Sequence, residues 1–347
     1  MSNLQIGLAV TGGVLLAAMV AHSAWRSRRS SPRQAAQPDL QDLGAAPVHD
    51  SSALEPALDA AAFDVANFPL PVVEKRLALD GLIDVLAPIS LEVAVSGEAA
   101  LAVLPTRRAG GKPFSIEGFN DAAQQWEVPL AGQRYTQFQA GVQLANRSGP
   151  LNDIEFSEFV MKTQAFCDAV NGTPDFPDMR EEVARARELD QFASEHDAQL
   201  GFVLRSRHAA WSPGYVQQNA SRLGFVAGSM PGRMVLPAPH AGLPPLLGLS
   251  FDTQAAMADD PAQSAIQQLT LSLDVPQVDR SENAFARMRE TALLLAQTMD
   301  GVVTDDNGMA LQTQAMDRIG LELEQVYDTL EQRGLAAGCA AARRLFS

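Results

Sequence analysis

Cysteine is scarce: 347 residues carry two, Cys167 and Cys339, far apart. A disulfide framework is excluded, and the usage suits a reducing compartment. Histidine is scarce too. His22, His49, His196, His208 and His240 are scattered, and none stands at metal-ligand spacing from another histidine or a cysteine. His208, near Arg205 and Arg207, reads as a solvated strand end. Positive charge is short, with 26 Lys and Arg against 41 Asp and Glu and a formal charge of −15. Such a chain repels phosphate backbones, so no nucleic-acid partner is expected. Catalytic constellations are missing as well. Gly110-Gly111-Lys112 lacks the rest of a phosphate-binding loop and reads as a hairpin turn. Ser250 and Ser281 lack a nucleophile-elbow setting. Asp305 and Asp306 are adjacent, so on a strand they point to opposite faces. Cys167 sits on an apolar helical stripe and reads as core. No cofactor and no metal are expected, and the chain reads as an interaction protein, not an enzyme. An envelope hydrolase would need the opposite membrane orientation and a carboxylate pair.

What is present is apolar sequence, 46% of residues, enough for a sizeable core and for two or three domains. Leu4 to Trp25 contains no Asp, Glu, Lys or Arg over 22 residues. As a helix it is roughly 33 Å long and spans a bilayer core. Arg26, Arg28, Arg29 and Arg33 follow at once. The positive flank predicts that residues 1–3 lie outside and everything after the span lies in the cytoplasm. A cleaved signal peptide is the competing reading. Ala21-His22-Ser23 speaks for it; the absence of Lys or Arg before the apolar run speaks against it. Residues 26–78 read as a basic flank and a disordered linker rich in Pro, Ala, Gln and Ser. A tether of ~45 such residues has a root-mean-square span of roughly 35–40 Å.

The stretch from Ala265 to Glu331 has the clearest pattern. Leu269, Leu271, Leu273 and Val275 alternate with polar residues, which predicts a strand that Pro276 ends. Ser281 is expected to cap the next helix, striped by Phe285, Met288, Ala292, Leu295, Ala296 and Met299. Asp300-Gly301 ends that helix, Val302 and Val303 begin a short strand, and Asn307-Gly308 turns it. Thr313 opens a last helix, striped by Met316, Ile319, Leu323, Val326, Tyr327 and Leu330. In their order and spacing, LTLSLDVPQV, FARMRETALLLAQTMDGVVTDDNGM and TQAMDRIGLELEQVYDTL resemble the C-terminal domain of the ZipA family, inner-membrane division proteins that bind FtsZ. Gln314 stands where that family has proline. The likeness extends back through Leu223-Gly224-Phe225 and Leu249-Ser250-Phe251-Asp252, and the membrane helix and linker agree in order.

The first half repeats the plan. LIDVLAPISL reads as a strand, with Pro88 favouring an edge position. A short helix, strands at KPFSIEGFN, WEVPL and TQFQAGVQLAN, a helix capped at Asn152 or Asp153, and a helix from about Asp178 follow. The second half runs strand, helix at Ser212-Pro213, strands, long helix, final helix. An internal duplication is therefore expected: a degenerate ZipA-like repeat at 79–197, a ZipA-like FtsZ-binding domain at 198–335, and a tail at 336–347. In the first copy TPDFP replaces the VVTDDNGM strand, so one element is lost or altered. A single larger α+β domain is the alternative.

The resemblance implies an α+β, split β-α-β fold: an antiparallel sheet with helices on one face and a shallow, apolar open face. The FtsZ C-terminal peptide would lie in that groove, and a bilayer anchor would turn modest affinity into filament attachment through many contacts. Carried over by position, the partner-binding face comprises Val203, Val235, Leu246, Gly248, Ser250, Thr270 and Ser272. Ser272 stands where the family has a bulky aromatic, so this face is smaller and more polar than the pattern. An anchored module of the same fold with another protein partner is the alternative. Nothing in the sequence sets an oligomeric state.

Overall fold

A computed structural model describes residues 32–35, 79–258, 260, 264–305 and 307–347. The expected membrane span and most of the linker lie outside the described residues. Among those described, no helix is long and apolar enough to cross a membrane.

The first half contains β1 (Asp84–Ser96), α1 (Gly97–Ala102), β2 (Arg108–Ala109), β3 (Lys112–Asn120), β4 (Gln125–Glu127), β5 (Arg134–Gln143), β6 (Ala145–Asn146), β7 (Gly149–Pro150), α2 (Asp153–Val170), β8 (Gly172–Pro174) and α3 (Met179–His196). The second contains β9 (Gln199–Ser206), α4 (Pro213–Arg222), β10 (Val226–Ala227), β11 (Arg233–Leu236), β12 (Leu247–Phe251), α5 (Thr253–Ala256), β13 (Gln268–Asp274), α6 (Ala284–Met299), β14 (Gly301–Thr304), α7 (Thr313–Gln332) and α8 (Ala340–Leu345).

Local chemistry sets the boundaries. Asn152 and Glu155 form a reciprocal capping box that starts α2. That helix buries Phe156, Phe159, Thr163, Phe166, Cys167 and Val170 and leaves Ile154 80% exposed. Asp178 caps α3, and Ser212 with Pro213 starts α4. Asp300 ends α6 in the left-handed region, φ 54°, with its N–H on the Ala296 carbonyl. The expected cap at Ser281 is not there. Asp279 caps a 3-10 turn at Arg280–Glu282, accepting the Ser281 N–H at 2.8 Å, and α6 then starts from Asn283, in the left-handed region and without a side-chain cap. The carboxylate two residues earlier holds Ser281 inside that turn, taking both its N–H and its hydroxyl.

One sheet runs β2-β3-β5-β1-β8 with β4 also on β3; another runs β10-β11-β12-β13-β9-β14. Their central parts, β3-β5-β1-β8 and β12-β13-β9-β14, share one order and are antiparallel throughout. In each, a long helix joins the second of these strands in space to the last, and another helix follows. The short β8 occupies the place of β14, so TPDFP shortens the element without removing it. Pro88 is not on an edge, because β1 has β5 on one side and β8 on the other. Its carbonyl faces the β8 side and accepts the Asp175 N–H at 2.9 Å. Its missing donor falls on that side too, beyond the end of β8, and leaves the β5 ladder whole.

One hydrophobic core runs through both halves. The segment 336–347, expected as a tail, folds back as α8 with Ala342, Leu345 and Phe346 buried. There Arg344 Nη1 donates to Asp84 Oδ2 at 2.8 Å, with the Asp84 side chain fully buried. Gln143 donates to the Ala145 and Arg344 carbonyls, and Arg333 pairs with Glu188 at 2.6 Å. Cys167 lies in the first half's core, where burial pushes its thiol up to about 11. At pH 8 a thiol reagent is expected to label one cysteine per folded chain, Cys339. Two fast equivalents before unfolding would contradict that packing.

Candidate functional site

The long helix α6 packs on β9, β13 and β14, with α4 and α7 against it, on one side of the second sheet. The other side presents alternate residues of each strand. The register places them in two cross-strand rows. One reads Val235, Gly248, Ser272, Gly201; the next reads Arg233, Ser250, Thr270, Val203, Thr304. Six of the seven sequence-predicted residues therefore lie side by side on one face. Leu246, just ahead of β12 and 3% exposed, has the same parity and donates its N–H to the Leu236 carbonyl at 2.8 Å.

Within this face a groove of about 580 Å³ is lined by Val235, Leu246, Gly248, Ser250 and Ser272, with Pro244 and Pro245 on its wall. Thr270 and Val203 share the face but lie outside the groove, and Val203 is nearly covered. The floor is low because its residues are small. A Cβ on Gly248 would come within 2.6 Å of Ser272 Oγ, and Ser272 Oγ donates to the Gly248 carbonyl at 3.4 Å, a weak bond.

Sequence reasoning missed one end of the groove. Arg147, in the β6–β7 turn of the first half, donates to Asp197 at 2.9 and 2.6 Å and to Asp274 at 2.7 and 2.8 Å. These hydrogen bonds raise the already high pKa of its guanidinium and lock it across the seam. Gln277 donates to the Phe346 and Arg343 carbonyls at 2.6 and 3.1 Å and holds Phe346 and Ser347 against the groove. No local pattern announces a contact between residues 147 and 274; only the folded seam joins them. At the other end Arg233 makes no ion pair among the described residues. The groove thus has a small, partly apolar floor between a locked arginine and an open one.

A larger hollow, about 740 Å³, lies on the helical side between α6 and α7 around Phe285, Leu293 and Leu321. Its rim arginine, Arg289, is already paired with Asp317 at 2.6 Å. Among the described residues, no group of three His, Cys, Asp or Glu is placed to hold a metal ion. His208 is largely exposed beside Asp300, and Asp305 serves its turn, accepting the Met309 N–H at 2.7 Å.

Residues 255–321, from α5 through β13, α6 and β14 into α7, match the family model of the ZipA C-terminal FtsZ-binding domain. That family is one of binding proteins. The matched stretch is about a fifth of the 347 residues. It holds Thr270 and Ser272; Val203, Val235, Leu246, Gly248 and Ser250 lie before it. No curated protein matches the chain.

Proposed function

We propose that this chain is a membrane-anchored division protein that holds FtsZ at the inner membrane. The second sheet's open face would bind the FtsZ C-terminal peptide and stabilise the FtsZ ring at the division septum. The observation that carries the reading is the groove on the open face of the sheet whose central strand and long helix lie in the ZipA-like stretch. The apolar run Leu4–Trp25 with its arginine flank supports a single span, periplasmic N-terminus and cytoplasmic fold. The matching strand orders support two repeats, near 79–197 and 198–335, of which the second carries the site.

The floor sets the affinity. Val235, Pro244 and Pro245 offer apolar area, while Gly248, Ser250 and Ser272 offer room and little grip. An extended peptide would supply the bulky side chains itself, and each contact would be modest. A filament presents many peptides to many anchored copies, so attachment comes from multivalency.

Titration of the purified chain with a labelled FtsZ C-terminal peptide tests this. Saturable micromolar binding is expected, weakened at least tenfold by Ser272→Arg, which fills the floor with a long charged side chain. Binding that ignores Ser272→Arg would remove the site from this face. No binding at hundreds of micromolar would favour the second reading, an anchored module with another partner, which the serine in place of an aromatic supports.

A further inference from the structure

Residues Pro32–Ala35 belong to the expected linker, yet they sit on the second half. The Arg33 N–H donates to the Ala210 carbonyl at 2.7 Å, and the Arg33 carbonyl accepts the Ser212 N–H at 2.9 Å. The pair brackets Trp211 as a parallel bridge. Arg33 Nη2 reaches Asp300 Oδ2 at 2.8 Å, and Nη1 reaches the Met299 carbonyl at 3.3 Å. That carbonyl also accepts Trp211 Nε1–H at 2.8 Å. Pro32 is buried, and Ala35 lies near Gly214.

The receiving corner suits an arginine on an extended strand. Met299 and Asp300 form the C-terminal end of α6, where carbonyls carry partial negative charge. Asp300 adds a full charge; hydrogen bonding from His208, with Arg33 and Arg207 nearby, holds its carboxyl below the usual range. A guanidinium fork can serve a carbonyl and a carboxylate together, which a lysine ammonium does less well. The backbone of Ala210 and Ser212 adds strand-type pairing on the same segment.

We propose that this corner is a docking site for the chain's own arm, Pro32–Ala35, with Arg33 as its anchor. The other end of the linker is fixed as well. The Leu79 N–H donates to Glu117 Oε1 at 3.0 Å, and its side chain covers Gly141. The residues on either side of the segment 36–78, Ala35 and Leu79, therefore both sit on the fold. One consequence rests on the proposed membrane span; the docking itself does not. Seven residues separate Trp25 from Arg33, at most about 29 Å of extended chain, whereas an undocked linker running to Leu79 could stretch to roughly 190 Å. The clasp keeps the folded part close to the bilayer.

Limited trypsinolysis of the full chain, with amide exchange at Ser212, tests the arm. Asp300→Asn keeps a residue that tolerates the left-handed cap and removes the charge. It is expected to speed cleavage after Arg33 at least tenfold, with other cleavages unchanged. Arg33→Gln, which abolishes that cleavage site, is expected to raise Ser212 exchange at least tenfold. Cleavage after Arg33 as fast in the parent chain as in Asp300→Asn would overturn the proposal, and so would Ser212 exchange indifferent to Arg33→Gln. Protection that grows with protein concentration would overturn it too, because the arm would then be docking between copies.

Discussion

Arg344→Ala is expected to lower the unfolding free energy by about 3–5 kcal/mol, read as a fall in the denaturant midpoint at pH 7. The side chain of Asp84 is fully buried, and Arg344 supplies its charge partner. Truncation leaves a carboxylate out of water with its guanidinium gone. The double variant Asp84→Leu with Arg344→Met replaces both charges by apolar groups and is expected to lose far less. The pH dependence has a definite sign. Burial raises the Asp84 carboxyl above its ordinary value, while the Arg344 hydrogen bond and charge pull it back. Without Arg344 the folded-state value rises further. A carboxyl raised in the folded state costs stability as pH rises through that value, and the cost is relieved on acidification. The deficit of Arg344→Ala is therefore expected to be smaller at pH 5 than at pH 8; the reverse trend would show that Asp84 is not the stranded group.

Trp211→Ala is the second large loss, about 3–5 kcal/mol. Trp211 is fully buried, bridges Ile266 and Arg33 through its backbone, and packs its ring beside Gly301 at the start of β14. Trp211→Phe separates packing from hydrogen bonding. It keeps most of the ring and deletes the Nε1–H bond to Met299, at a net cost of about 0.5–1.5 kcal/mol. Met299 keeps a donor in Arg33 Nη1, so the figure is expected at the low end. A thermal melt of the two variants distinguishes them: near-equal losses would mean that the indole N–H, not the buried area, carries the site.

Much of the architecture was legible because it is local. The alternation Leu269, Leu271, Leu273 appears as β13, and the stripe from Met288 to Met299 as α6. Asn152, Asp178 and Ser212-Pro213 start the helices that their chemistry predicts. Strand parity also brought Val235, Gly248, Ser250, Thr270 and Ser272 to one face, since period two survives whatever the sheet order. What parity could not give was depth. It ranks Val203 with Ser272, although one is buried and the other exposed. Nor could it give the groove's end, which Arg147 and Phe346 make from distant parts of the chain. Pro88 misled because the rule concerns a missing donor, and the side to which that donor would point is set by register.

The arm at Arg33 also decides how the molecule bears load. A pull on the chain ahead of Pro32 enters the fold at Ala210, Ser212 and the end of α6. From there it passes through β9, which joins β13 and the floor of the groove by paired backbone. While the arm holds, tension between the N-terminal side and a ligand in the groove bypasses residues 36–78 and the first half. The strength of such a link is then that of a few hydrogen bonds and one ion pair around Trp211, and its first yielding step would be release of Arg33, which lengthens the connection before any sheet is unzipped.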